Sequence, residues 1–403
     1  GGFRMFLGLR EHEMRSNPCI IGGKGRNMKV LILSCNTGEG HNAAGKAVKE
    51  CLERRGHQAD MVDMMLLKGK RTSKVIGGAY VELVKHAPRI FGLVYKAGEA
   101  IRSAKRKSPV YQANKLLAKS LKDYLDQENY DVIATPHLYP AETLTYMKKK
   151  GWLKQKVVAI GTDYTCIPFW EETACDYYVI PHKEAVEEWA SYGLPREKLC
   201  PLGIPVKPEF AVEANQEKAR SVCGLPLDKP AYLVMSGSMG FGKIHIFAQE
   251  LSRRCKDGEQ IIIICGNNRR REYAMKLQFF KNPDVHVLGY TSHVAVYMEA
   301  CDVIFTKPGG LSSTEAAVKQ IPIVHTAPIP GCETKNVEFF TSHGMSIGEK
   351  TIEKQIRAGQ FLMRDENARV KMKKAQRENT NPRSGYEIVT LLEKLCQNVS
   401  GNS

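Results

Sequence analysis

No stretch of the 403 residues approaches the roughly 18 consecutive apolar residues that a membrane-spanning helix needs. The first 27 residues lack an apolar core of signal length: Met5-Phe6-Leu7-Gly8-Leu9 gives way to charged and glycine-rich sequence, so no secretory leader is expected. Residues 1–27 read as a loose, disordered extension ahead of Met28. Twelve cysteines are present, but no C-x-x-C pair and no Cys/His cluster at zinc spacing. Several, such as Cys35, Cys265 and Cys301, sit in or beside apolar runs. The pattern argues for reduced, buried thiols of a cytoplasmic protein rather than a disulfide framework.

Acid is the scarcer charge, with 43 Asp and Glu against 59 Lys and Arg, a net charge of +16. The excess is concentrated. Between Leu66 and Lys122 stand fourteen Lys/Arg and two acids, Glu82 and Glu99, a local net charge of +12. Such a segment points to a polyanionic partner. Within it Val75, Ile76, Ala79, Leu83 and Val84 share a helical face, and Ile90, Phe91, Leu93, Val94 and Tyr95 form a second apolar patch. Lys74, Lys85, Arg89, Lys96 and Arg102 surround them. A basic amphipathic insertion of this kind suits an anionic membrane surface, with Phe91, Tyr95, Lys105, Arg106 and Lys107 as contacts. A plain helix pair packed on its own domain would show the same apolar stripe. Nucleic acid is not expected as a partner, because the charges accompany aliphatic faces rather than aromatic platforms.

What the chain has in quantity is alternation. Buried-type strands are expected at Lys29–Ser34, 59–62, 131–134, Lys156–Ile160 and 177–180, with a helix over 42–55. Gly203-Ile204-Pro205-Val206-Lys207-Pro208 interrupts the pattern and reads as a linker. The alternation resumes with strands at 231–236, 260–265, Val285–Leu288, 302–305 and 321–325. The fold class is therefore α/β, two doubly wound Rossmann-like parallel-sheet domains with a cleft at the carboxyl ends of their strands. The expected division is 28–205 with 66–122 inserted, then 206–382, then a carboxyl-terminal helix in 383–403 that returns to either domain.

Five loops follow strands of the second domain. Phe305-Thr306-Lys307-Pro308-Gly309-Gly310-Leu311-Ser312-Ser313-Thr314-Glu315 reads as strand, glycine turn and helix start, with Ser312, Ser313 and Thr314 as N-cap types. Its N–H groups and helix dipole suit phosphate, and Glu315 one turn in suits a ribose diol. Ser236-Gly237-Ser238-Met239-Gly240-Phe241-Gly242-Lys243 is a glycine-rich diphosphate loop. It matches seven positions of a P-loop and fails the eighth, where Ile244 replaces the Ser or Thr that holds magnesium. A nucleotide hydrolase is the rival that this position disfavours. Gly266-Asn267-Asn268-Arg269, Gly289-Tyr290-Thr291 and Pro328–Asn336 complete the set, the last with Glu333 and Asn336 suited to sugar hydroxyls. On the first domain, His41 in a glycine turn and Asp163 after the strand ending at Ile160 are both candidates for a general base.

These motifs, in this order, resemble glycosyltransferase family 28 and, within it, the monogalactosyldiacylglycerol synthases and processive diacylglycerol glucosyltransferases. The residues behind the resemblance are Thr37-Gly38-Glu39-Gly40-His41-Asn42-x-Ala44, Thr162-Asp163-Tyr164 with Phe169-Trp170, Lys307 to Ala316, and Gly331 to Asn336. Glu39 stands where the family often has a further glycine. The resemblance implies a GT-B fold and an inverting transfer of glucose or galactose from a UDP-sugar to diacylglycerol. It implies a peripheral protein on the cytoplasmic face of an anionic membrane. It also implies roles: Glu315 on the ribose, Tyr290 and Thr291 on the uracil edge, Gly237, Gly240, Gly310, Ser312 and Ser313 around the diphosphate, Asn267 in the same donor site, Glu333 and Asn336 on the sugar, and His41 on the acceptor side. Neither a metal nor another cofactor is expected, since no acidic cluster accompanies the donor loops. The alternatives are transfer of N-acetylglucosamine to an undecaprenyl-linked cell-wall precursor, a UDP-sugar epimerase of the same fold, and a non-catalytic membrane-bound sensor of UDP-sugar.

Overall fold

The computed structural model describes residues 27–35, 39–68, 96–102, 107–235 and 244–400. They fall into two compact units. The amino-terminal unit runs to Pro208 and takes back Asn381 onward, together with Pro330–Cys332; the carboxyl-terminal unit comprises Glu209–Ile329 and Glu333–Thr380.

The amino-terminal unit is built on a six-stranded parallel sheet: β1 (Lys29–Ser34), β2 (Gln58–Asp63), β3 (Val132–Thr135), β4 (Lys156–Ile160), β5 (Tyr177–Val179) and β6 (Leu199–Cys200), in the order β2-β1-β3-β4-β5-β6. The central strands are buried on both faces, which is why they read as unbroken apolar runs rather than alternating ones. α1 (Glu39–Arg54) follows β1; α2 (Pro109–Asn114), α3 (Ala118–Gln127) and α4 (Leu138–Lys149) lie around β3; α5 (Ala185–Ser191) follows β5. The chain leaves β1 for β2 on one side and returns to β3 on the other. The strand order therefore reverses between β1 and β3, where a doubly wound sheet opens a crevice at its carboxyl edge.

The carboxyl-terminal unit repeats the plan with β7 (Ala231–Met235), β8 (Gln260–Ile264), β9 (Val285–Leu288), β10 (Val303–Thr306), β11 (Ile323–His325) and β12 (Ile347–Gly348), in the order β12-β11-β10-β7-β8-β9. Its helices are α6 (Gln216–Cys223), α7 (Ile244–Arg254), α8 (Arg269–Gln278), α9 (Val294–Ala300), α10 (Gly310–Val318), α11 (Cys332–Ser342), α12 (Ile352–Arg364) and α13 (Glu366–Asn379). Here the order reverses between β7 and β10.

The last helix, α14 (Ser384–Ser400), packs on α1 of the amino-terminal unit. Gly385 permits the approach: a Cβ there would stand 2.6 Å from Cys51 Sγ. Glu393 accepts from Arg55 Nη1 at 3.1 Å and lies 2.9 Å from His57 Nε2. Among the described residues no helix is long and apolar enough to cross a membrane, and every described cysteine is a free thiol.

The two-residue strands β6 and β12 have no counterpart in the sequence reading, because two residues carry no periodicity. α10 begins four to five residues before the expected helix body. Its N-cap is Gly309, extended at φ −70°, ψ 139°. Ser312, Ser313 and Thr314 therefore lie inside the first turn rather than capping it. Thr314 Oγ1 donates to Gly310 O at 2.6 Å instead.

Candidate active site

In the amino-terminal unit the loops after β3 and β4 meet at His41. It sits in the first turn of α1, whose early start carries it to the mouth of the β1–β3 crevice. His41 Nδ1 lies 3.0 Å from Pro136 O, in the loop after β3, and 2.8 Å from Thr162 Oγ1, in the loop after β4. A carbonyl oxygen only accepts, so Nδ1 carries the proton and Nε2 carries the lone pair. Burial holds the His41 pKa below the ordinary histidine value, while the charge of Asp163 and the Pro136 carbonyl pull it back up. The ring is thus neutral near pH 7, with its basic nitrogen fixed by a backbone oxygen that no side-chain substitution removes. Asp163 is partly exposed and acts on His41 through its charge.

A second histidine stands against the first. The His137 ring meets that of His41 edge-on with centroids 4.5 Å apart. His137 is the N-cap of α4, and its Nδ1 accepts the Tyr139 N–H at 3.1 Å. Burial, then the neighbouring His41, keep its pKa well below the usual value. His137 and the α4 N-terminus therefore present His41 with a wall that disfavours an imidazolium. The sequence reading passed over Pro136 and His137. The available signal was their position immediately after the apolar run ending at Ala134, the same signal that singled out His41 and Asp163.

Behind this wall lies a knot of buried acids. Phe169 has left-handed backbone, φ 82°, rare for a bulky residue. The turn it makes sends Glu171 and Glu172 inward. Glu171 takes two bonds from Arg102, at 2.9 and 3.1 Å, and Arg102 lies 3.3 Å from the centre of the Tyr192 ring. Arg102, expected on the outer rim of the basic insertion, is an internal cation because a fully buried carboxylate requires a partner. Glu172 accepts from Ser108 N–H at 2.7 Å and Ser108 Oγ at 2.5 Å. Glu142 beside it is pushed up to about 9, first by burial and then by Glu172, so it is protonated at neutral pH. Lys107 gives its ammonium to the Glu172 carbonyl. Phe91, Tyr95, Lys105 and Arg106, the other expected membrane contacts, lie outside the described residues, as do Gly237 and Gly240 of the glycine-rich loop.

In the carboxyl-terminal unit the parallel register aligns the ends of β11, β10, β7, β8 and β9 on one edge of the sheet. The turns after β10, β8 and β9 carry Gly310, Asn267, Tyr290 and Thr291 along it in that order. At α10 the first intrahelical bond runs from Ser313 N–H to Gly309 O at 3.0 Å. The N–H groups of Gly310, Leu311 and Ser312 precede it, and the glycine cap offers them no side-chain oxygen. Ser312 and Glu315, three apart, share the half-exposed side of this turn. Asn267 and Tyr290 are exposed, and Thr291 Oγ1 accepts from His293 N–H at 3.1 Å.

Three expected contacts point inward. Ser313 Oγ lies 2.9 Å from His325 Nε2, whose Nδ1 is 2.9 Å from Ser346 Oγ. Burial lowers His325 to about 3, so it bridges the two hydroxyls as a neutral ring. Asn336, fully buried, donates to Pro308 O at 3.0 Å. Glu333 accepts from Lys307 Nζ at 2.7 Å and from Ile329 N–H at 2.9 Å. These bonds tie the first turn of α11 to the Lys307–Gly309 turn. Lys307, quoted in the motif but assigned no role, stands three residues before Gly310 at the start of α10 and is bound to Glu333.

Comparison with known proteins bears on both units. Residues 41–206 match the family described as monogalactosyldiacylglycerol (MGDG) synthase, and residues 223–379 match glycosyl transferases group 1. The chain has the GT-B fold, and each of its two halves matches a glycosyltransferase domain family. It is similar to the processive diacylglycerol beta-glucosyltransferase of Staphylococcus saprophyticus, 26% identical over 93% of this chain and 95% of the relative. In structure it is similar to MurG of Acinetobacter baumannii, with a TM-score of 0.60, 15% identity and coverage of 91% and 99%. It is similar also to the UDP-GlcNAc 2-epimerase of Neisseria meningitidis, with a TM-score of 0.57, 13% identity and coverage of 91% and 100%. At those identities the two structures speak for the fold. The first family match ends at residue 206, inside the Gly203–Pro208 break in the strand–helix alternation, and the second begins at 223.

Proposed function

We propose that this glycosyltransferase moves a hexose from UDP-glucose or UDP-galactose to the free hydroxyl of diacylglycerol, with inversion at the anomeric carbon. The observation that carries the reading is His41, a neutral imidazole whose tautomer leaves Nε2 as the base. It stands in a domain of MGDG synthase type on a chain that aligns almost end to end with diacylglycerol glucosyltransferases.

UDP-hexoses carry the sugar in α linkage, so a β-linked product needs one in-line displacement. The acceptor hydroxyl oxygen forms a bond to the anomeric carbon as the bond to the diphosphate oxygen breaks. Its proton passes to His41 Nε2, and UDP leaves with the electron pair. The negative charge that develops on the diphosphate falls to the α10 start, where backbone N–H groups, Ser312 and the helix dipole are already in place. Glu315 takes the ribose hydroxyls, and Tyr290 and Thr291 take the uracil. Glu333 and Asn336 support the reading indirectly: they hold the Lys307–Gly309 turn rigid, and either reaches a sugar hydroxyl only by leaving its present partner. Peripheral attachment to the cytoplasmic face of an anionic membrane would bring the enzyme to an acceptor that does not leave the bilayer.

The deciding experiment is transfer from radiolabelled UDP-glucose, UDP-galactose and UDP-N-acetylglucosamine to diacylglycerol in mixed micelles, with the lipid products resolved. A labelled glycolipid from a UDP-hexose establishes the reading. Release of free sugar alone, or transfer only from UDP-N-acetylglucosamine, overturns it.

A further inference from the structure

On the carboxyl-terminal unit, α8 turns an apolar stripe to solvent. Tyr273, Leu277 and Phe280 are spaced i, i+4, i+7, which places them on one side of the helix and of the turn that ends it. They are 67%, 60% and 82% exposed. The opposite side buries Met275 at 1%. A helix normally spends its large apolar residues on the core; α8 and the turn that ends it bury Met275 and Phe279 but leave Tyr273, Leu277 and Phe280 in solvent. A further exposed apolar side chain lies at the start of α7. Gln278 Nε2 donates to His245 O at 3.2 Å, joining the end of α8 to the start of α7, where Ile246 is 44% exposed.

The charge around the stripe has one sign. Residues 269–281 contain Arg269, Arg270, Arg271, Lys276 and Lys281 against a single acid, Glu272, and Glu272 is bound to Lys276 at 2.6 Å. Aromatic and aliphatic side chains along a helix, flanked by cations long enough to reach past them, match a surface with phosphates outside and hydrocarbon within. We infer that α8 and the start of α7 form a membrane-docking surface that seats on an anionic lipid monolayer, with Tyr273, Leu277, Phe280 and Ile246 at the depth of the headgroup–acyl boundary. This rests on the lipid-acceptor reading and adds to it: the donor-binding unit has its own membrane contact, outside the basic insertion of the amino-terminal unit. A nucleic acid would use the cations but not Leu277 and Ile246, and a second copy of the chain would have to bring +16 of net charge against the same sign.

The test is co-sedimentation of the full chain with vesicles of phosphatidylcholine alone and of phosphatidylcholine with phosphatidylglycerol. Two variants are compared, Y273S/L277S/F280S and R270E/K281E. All five side chains are exposed, so folding is preserved and is checked by thermal melting. The expected result is binding to the phosphatidylglycerol vesicles only, weakened roughly tenfold or more in each variant. Unchanged vesicle binding in both variants overturns the proposal. So does a wild-type dimer that the serine variant dissociates without any loss of vesicle binding. Transfer to diacylglycerol in detergent micelles separates the two claims. If micellar glycolipid forms while the variants bind vesicles as well as the wild type, the docking surface alone is wrong. If no glycolipid forms at all, the lipid-acceptor reading is wrong, whatever the vesicles show.

Discussion

His41 owes its chemistry to a backbone atom. The Pro136 carbonyl claims Nδ1–H at 3.0 Å and so leaves the lone pair on Nε2. Burial disfavours the imidazolium and Asp163 opposes burial, so under the proposed mechanism substitutions at the two residues are expected to act differently. His41→Ala is expected to lower kcat by about 10²–10⁴-fold, the usual worth of a general base. Asp163→Asn removes a charge that raises the His41 pKa, so the acid limb of kcat/KM should move to lower pH while much of the rate survives. A pH–rate profile of both variants checks this; an equal loss in Asp163→Asn with no shift of the limb would make Asp163 the base. On the donor side, Glu315→Ala removes the carboxylate proposed to bind the ribose. Calorimetry should find UDP binding weakened by about 1.5–3 kcal/mol, roughly 10- to 100-fold.

Two elements hold these residues. The turn at Phe169 and the α4 helix carry the Glu142–Glu172 pair. Glu142 titrates near 4.5 in an unfolded chain and at about 9 when folded. Between those values the folded protein keeps a proton that the unfolded chain has lost, so this pair makes the protein less stable as pH rises from 4.5 toward 9. Glu142→Gln keeps the hydrogen bonds without the titration. Thermal unfolding across that range should show a flatter pH dependence and a higher Tm at pH 8–9 than the wild type. In the other unit, α12 crosses β10 so closely that a Cβ on Gly359 would lie 2.2 Å from Phe305 Cζ. Phe305 is buried against Tyr232 and Phe247 and has no room to retreat. Gly359→Ala should therefore destabilise by about 1–3 kcal/mol in denaturant titration, and, because β10 leads into the Lys307–Gly310 turn, should also raise the KM for the UDP-sugar.

At the scale of the whole molecule, two six-stranded parallel sheets of like plan each carry loops at the carboxyl ends of their strands, and the proposed reaction assigns the acceptor to one set and the donor to the other. The leaving-group charge is assigned to a helix start and to Ser312. Turnover measured after exhaustive chelation should equal that in added magnesium, and a loss of more than a few-fold would require a cation in the mechanism.

What the sequence alone determined is the part of the protein written in local patterns. Apart from the two-residue β6, apolar runs placed the strands from Lys29–Ser34 to Val285–Leu288 within a residue or two, because a strand buried on both faces cannot hide its composition. Glycine turns and strand ends picked out His41, Asp163 and the Gly309–Glu315 helix start. Tertiary structure decided which polar groups face outward. Ser313 and Asn336 look like ligand contacts in sequence but are buried, engaged with His325 and the Pro308 carbonyl. Arg102 looks like a surface charge but neutralises Glu171. Pro136 and His137 reach His41 from 95 and 96 positions away in the chain, and only the parallel register of β1 with β3 brings them together. Local sequence dictates backbone form; the partner of a buried charge or hydrogen-bonding group is chosen by the fold, since only there does leaving it unpaired carry a cost.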